Sequence, residues 1–385
     1  MGVRSEVGNI PAFDGMRGVA VLWVIGFHYV ALREAAADPW VEALRALPAL
    51  DSIVRNGYLG VDLFFLISGF LLMLPWYLHA RSGQPAPAAG PFYARRFRRI
   101  APAYYVQLAA LFLVVIPLLR GADYWKRDLY VIAWNVAAHG GFVHNTSPLT
   151  SGSMGINGAL WTLAVEAQYY LLLPLLAPLL VRAPLRSAAI AFAVAIAWQH
   201  AARHGLEPIV AAYQRAGAHW AWPENVIRVL LVTQLPSYLG HFALGSLLGR
   251  AWLLARERPP SPRERLSVAL AGWMGALVVF ALLASRIPVW GEQTWLLTTA
   301  ALGALLYAAA RGDGALARVL LARGPLAFVG RISYSAYLWH LPVLLLLLHA
   351  APGPSALLLP AYLLAVVALS WLSWRLIERR FIRGV

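Results

Sequence analysis

Arg17 and His28 stand eleven residues apart in the apolar run RGVAVLWVIGFHY, residues 17–29. At about 100° per residue, eleven steps make about three turns, so on a helix both face one way, about 16 Å apart along the axis. A charge and a proton carrier on one face of a membrane-type helix are costly to bury and mark function by default. Acidic residues on or at the ends of apolar runs are Asp14, Asp62 in GVDLFFLISGFLL (60–72) and Glu166 in ALWTLAVEAQYYLLLPLL (159–176). His28, Asp62 and Glu166 are expected at a similar depth around a polar pocket. A histidine with a nearby carboxylate serves as a general base, the carboxylate orienting the ring and offsetting its charge. The same residues would also suit a buried structural network, or would carry protons through a transporter.

Two further segments carry polar chemistry. In FYARRFRRIAPAYY (92–105), Arg96 and Arg99 are three apart and share a helix face. Their forked guanidinium groups suit phosphate oxygens, or simply fix topology and touch anionic lipid. Arg17 either snorkels to the headgroups or holds an anion within the bundle. In GRISYSAYLWHLPV (330–343), Ser333, Tyr337 and His340 form a stripe on one helix side, and Pro342 is expected to kink that helix beside a cavity. His139, His144 and Asn145 read as solvated loop residues. His200 and His204 are four apart but lack a third ligand, so no metal site is expected. There is no cysteine, hence no thiolate nucleophile and no disulfide framework.

The elements that must position these residues are membrane helices. The chain of 385 residues is 60% hydrophobic and 13% charged, far from a soluble globular domain. Apolar runs of spanning length predict an all-α, polytopic integral membrane bundle of about ten transmembrane helices. They centre near 13–32, 57–78, 100–119, 159–181, 187–203, 226–250, 266–285, 292–310, 325–349 and 356–376. The run at 129–143 is short and reads as re-entrant or interfacial, and Pro102 falls in the first turn of the third helix. Residues 82–91 form a Pro/Gly/Ala linker, no internal repeat is seen, and residues 1–385 form one domain. With the N-terminus inside, 20 of the 32 Lys and Arg residues fall on the inner side and 10 on the outer. That excess places both termini in the cytoplasm. The net charge of +15 therefore reads as membrane orientation, with no basic soluble module for nucleic acid.

Together these segments resemble the acyltransferase 3 family of multi-spanning membrane O-acyltransferases, over nearly the whole chain and in the expected order. Arg17 and His28 match its Arg–ten residues–His motif. Asp62, Ser68 and Gly69 lie in a match to its second-helix signature, paired aromatics followed by Ser-Gly-Phe. RRFRRIAPAYY, with Arg96, Arg99, Ile100, Pro102 and Tyr104, resembles its Arg-x-x-Arg-Ile-x-Pro-x-Tyr motif. LWTLAVEAQYY resembles its Trp-Ser-Leu-x-x-Glu-x-Gln-Phe-Tyr motif, with Thr162 in place of Ser and Tyr169 in place of Phe. SYSAYLWHLPV resembles its late Ser-Tyr-x-x-Tyr-Leu-x-His-x-Pro motif.

The resemblance implies an acyl-CoA co-substrate, no further cofactor, and a hydroxyl-bearing acceptor (a glycan, a lipid or a small molecule), in the bacterial plasma (inner) membrane. It implies His28 as general base, Glu166 or Asp62 orienting it, Arg17 in the same catalytic set, and Arg96 and Arg99 on the CoA phosphates. Ser68, Tyr104, Tyr334, Tyr337 and His340 form a secondary pocket, and tyrosine or backbone groups would meet the oxyanion. The chain ends at ERRFIRGV, so no fused SGNH-type hydrolase-like domain is expected. The competing reading is a multi-pass transporter or flippase, and a third is an acyl-CoA-binding sensor.

Overall fold

The computed structural model describes residues 10–121, 129–151, 157–216, 222–285, 294–312, 321 and 323–383. Every regular element among them is helical. The long helices are α1 (Ala12–Arg33), α2 (Leu59–Ser82), α3 (Ala89–Arg120), α4 (Trp161–Arg182), α5 (Pro184–His204), α6 (Leu235–Ala255), α7 (Pro262–Ala284), α8 (Trp295–Arg311), α9 (Pro325–Arg331), α10 (Ser333–Ala350) and α11 (Leu358–Ile382). The expected linker holds: α2 ends on Gly83 in the left-handed conformation, and α3 starts at Ala89.

Among the described residues, six helices are long and apolar enough to cross a membrane, or seven if the bent pair α9–α10 is one span. The expected count of about ten is not reached on this measure. Helices do occupy the other three regions, but α8 is short and α5 and α6 fall short on apolarity. The reason is packing: α6 buries Ser237, His241 and Ser246 against its neighbours, so its sequence need not suit lipid. Five of the 32 Lys and Arg residues counted for orientation, Arg4, Lys126, Arg127, Arg286 and Arg318, lie outside the described residues.

α2 is the centre of the bundle, with 78% of its apolar window buried against 17% for α7. It crosses α6 backbone to backbone. A side chain on Gly69 would meet the Phe242 carbonyl oxygen at 2.2 Å, and one on Gly245 would meet that of Leu66 at 2.2 Å. The two helices dock only because both positions lack a Cβ.

Prolines shape α10 differently from expectation. The sharp bend, 81°, lies between α9 and α10 at Ile332, while α10 runs through Pro342 as one helix. Pro342 has no N–H for the carbonyl four residues back, that of Leu338. Asn157 Nδ2 donates to that oxygen at 2.7 Å and Gln107 Nε2 at 3.2 Å, so the freed acceptor ties α10 to α3 and to the segment before α4. Pro102 likewise sits inside α3, which begins thirteen residues earlier than that proline, and not in a first turn. α3 and α11 each carry a π-helical turn, at Leu111–Val115 and Trp374–Glu378.

The stretch 129–143 forms a helix at Leu129–Gly140, outside the set of candidate spans. His139, His144 and Asn145 are not solvated: each is about 1% exposed or less. The two imidazoles stack at 4.2 Å, and Tyr104 donates to the His139 carbonyl at 2.9 Å. Burial holds the His139 ring down to about 4 and the His144 ring, next to it, down to about 3. Both are neutral at neutral pH.

Candidate active site

A cavity of about 140 Å³ opens between α1, α2, α3, α4 and α10. Arg17, Arg96 and Arg99 line it, with Ser68, Glu166, Tyr170, Tyr334 and Tyr337. The helices explain the convergence. Arg17 is one turn into α1, and Arg96 and Arg99 share one face of α3. Ser68 of α2 meets Glu166 of α4 across the middle of the bundle.

The three guanidinium groups are held differently. Arg17 Nη1 lies 3.3 Å from Asp14, one turn earlier. Arg99 Nη1 lies 3.4 Å from Glu378 Oε2 and over the Tyr334 ring. Arg96 packs against the faces of Phe92 and Tyr170, and its buried Nε has no hydrogen-bond partner among the described residues. An orphaned cationic donor on a cavity wall is the chemistry of an anion site.

Glu166 belongs to this cavity and not to His28. Its Oε1 accepts from Ser68 Oγ at 2.8 Å and from Tyr170 OH at 2.5 Å. Asp62 is also elsewhere: it is 7% exposed and lies 3.6 Å from His241 Nε2, which Thr299 meets at 3.0 Å. The expected His–carboxylate pair therefore does not form, since α2 and α4 turn Asp62 and Glu166 toward partners of their own.

The partner of His28 is His340. His340 Nε2 is 3.3 Å from His28 Nδ1, and that Nδ1 is 3.0 Å from the Val24 carbonyl oxygen. His340 Nδ1 is 2.7 Å from the Tyr337 carbonyl oxygen. The Tyr337 ring lines the cavity and packs 5.6 Å from the His340 ring. The histidine pair thus sits one side chain beyond the cavity wall.

The cavity tyrosines have no free proton to offer an oxyanion. Tyr337 donates to the Ala159 carbonyl at 2.9 Å, Tyr334 to that of Ile100 at 2.8 Å, and Tyr170 to Glu166. Tyr104 is fully buried against Phe142 and lies outside the cavity lining, unlike Ser68, Tyr334 and Tyr337. Three residues here, Tyr170, His241 and Glu378, are not among those expected from the sequence. Tyr170 was findable, one turn after Glu166. His241 is a buried histidine within the expected span 226–250, open to the argument applied to His28. Glu378 was hidden in a basic tail read only for topology.

An acyltransferase domain, that of the acyltransferase 3 family, matches residues 10–375. The peptidoglycan O-acetyltransferase OatA of Listeria monocytogenes is 26% identical over 352 residues, covering 88% of this chain and 50% of that protein. The O-acetyltransferase OatA of Staphylococcus aureus is 26% identical over 356 residues, covering 87% of this chain and 50% of that protein. BcsY of Komagataeibacter xylinus, whose naming as a membrane-bound transacylase is provisional, is 26% identical over 384 residues, covering 95% and 81%. The chain thus spans about half the length of the two O-acetyltransferases. No solved structure matches it.

Proposed function

This chain belongs to the acyltransferase 3 family, and from that premise we propose that it is a membrane O-acyltransferase moving a short acyl group from acyl-CoA to a hydroxyl of a glycan, lipid-linked sugar or glycosylated small molecule. The observation that carries the reading is the cavity with three arginines on its wall, one with an orphaned Nε, separated from a histidine pair by the single side chain Tyr337. A polyphosphate donor fits the arginines, and its extended arm leads the thioester toward His28.

His28 acts on the acceptor. Its Nε2 takes the hydroxyl proton as the oxygen attacks the thioester carbonyl. The C–S bond breaks, an ester C–O bond forms, and the proton passes from His28 to the departing CoA thiolate. Atoms and charge balance without a redox partner. Arg96, Arg99 and Arg17 hold the donor, and Glu166, fixed by Ser68 and Tyr170, shapes the same chamber. Asp62, tied to His241, supports the bundle. With both termini in the cytoplasm of a bacterial inner membrane, the donor enters from the cytoplasmic side.

The test is a thermal-shift series on detergent-purified protein with acyl-CoA esters, free CoA and ATP. Saturable stabilisation by one ester, lost in Arg96→Ala/Arg99→Ala, supports the donor. His28→Ala keeps that stabilisation and loses transfer. A folded protein that responds to no ester, or a fully active His28→Ala, overturns the proposal and favours the transporter reading.

A further inference from the structure

We infer that His340 is the positioning residue of the reaction: through its Nε2 it holds the His28 ring with the proton on Nδ1, so that Nε2 of His28 is the bare base. The inference rests on the reading of His28 as general base and goes beyond it, since it names the group that takes a carboxylate's place.

The proton assignment follows from three contacts. A carbonyl oxygen only accepts, so His340 Nδ1, 2.7 Å from the Tyr337 oxygen, carries a proton. In a neutral ring its Nε2 is then a lone pair. His28 Nδ1 faces that lone pair at 3.3 Å and the Val24 carbonyl oxygen at 3.0 Å. Two acceptors around one nitrogen require a proton on it, shared between them. Protonating Nε2 of His28 instead would set the Nδ1 lone pair against both acceptors. For two neutral rings, only one arrangement satisfies every contact.

Among the described residues, the surroundings supply no rival. His340 is fully buried, at 0% exposure. The elements packed on this part of α1 bring Asp51, Arg55, Tyr58, Asp62 and Tyr337, and each is engaged elsewhere. Arg55 binds Asp51 and Glu34, Tyr58 donates to Asn56, and Asp62 faces His241. Tyr337 bonds Thr162 and the Ala159 carbonyl. When His28 takes up the acceptor's proton, the resulting imidazolium keeps its Nδ1–H on a neutral nitrogen acceptor, which spreads the charge without a buried anion. A buried carboxylate at that place would pull the proton more strongly and would need its own desolvation met.

The test measures CoA release from acetyl-CoA by the full chain in nanodiscs, with water as the acceptor, over a pH range. The chain has no cysteine, so a thiol reagent reads only CoA. His340→Leu is expected to lower kcat by about tenfold or more with donor KM unchanged. Its acid limb moves to lower pH, because His28 loses the acceptor that favours its charged form. His340→Gln places an oxygen acceptor where Nε2 stood, and is expected to restore most of the rate and the limb. His340→Leu with an unchanged kcat and acid limb, or Leu and Gln variants equally impaired while both keep the acetyl-CoA thermal shift, overturns the inference. His28→Ala separates the two readings. If it is active, the base assignment itself fails; if it is inactive while His340→Leu is unchanged, only the role of His340 fails.

Discussion

Arg99 and Glu378 join the cavity to the last helix: the guanidinium lines the chamber, while the carboxylate 3.4 Å behind it is only 1% exposed. Glu378 reaches inward at the π-helical turn of α11 and is also bonded by Ser335, which in turn meets Ser373 at 2.9 Å. Arg99 therefore serves two structures at once, the ligand chamber and a buried polar knot between α10 and α11.

That double role predicts a separable loss. Arg99→Ala leaves Glu378 buried with only Ser335 as donor, at a cost of about 2 kcal/mol. The cost is below that of a fully buried pair because Arg99 is 36% exposed. Adding Glu378→Gln removes the stranded charge. Thermal melts in detergent should show a lowered Tm for Arg99→Ala and near recovery in the double variant, while donor binding stays weak in both. A double variant no more stable than the single one would show that the pair is not coupled.

Arg96 should behave differently. It has no carboxylate partner among the described residues, only aromatic faces and an unmet Nε. Arg96→Ala should leave Tm almost unchanged and weaken donor binding by about 1.5–3 kcal/mol, roughly 10- to 150-fold. Titration with acetyl-CoA by calorimetry decides it, and unaltered affinity would reduce Arg96 to a topology determinant.

Asp62 tests which carboxylate matters to the base. Because it faces His241 and not His28, Asp62→Asn should keep the pH profile of transfer while lowering Tm. A shifted acid limb in that variant would place Asp62 in the catalytic set after all.

The stacked His139 and His144 pair predicts acid sensitivity outside the site. Burial lowers the rings to about 4 and about 3, against about 6.5 in an unfolded chain. Below about pH 6.5 the unfolded chain binds protons that the folded pair refuses, so their contribution is complete above that pH and is lost as the pH falls toward 4 and then 3. Tm should drop across that window, and His139→Asn/His144→Asn should flatten the drop. An equally steep fall in the variant would place the sensitivity elsewhere.

The amino-acid sequence by itself determined the class of fold and singled out most of the polar residues that line the cavity. Apolar runs near spanning length dictate helices, because backbone polar groups in a bilayer must be met within the segment. The spacing of Arg96 and Arg99 put both on one face, and the cavity uses that face. Arg17 and Glu166 were marked by their cost in an apolar run, and both line the chamber. What tertiary structure alone decided was pairing. A carboxylate and an imidazole at similar depths can meet only if their helices turn toward each other. Here α2 turns Asp62 toward His241, α4 turns Glu166 toward Ser68, and α10 brings His340 to His28. Helix rotation in a bundle is fixed by which small residues let backbones touch, such as Gly69 against Phe242 and Gly245 against Leu66. It is also fixed by where a freed carbonyl finds a donor, as Leu338 does in Asn157 and Gln107. Those contacts join residues far apart in the chain, and no local pattern of hydropathy or spacing encodes them.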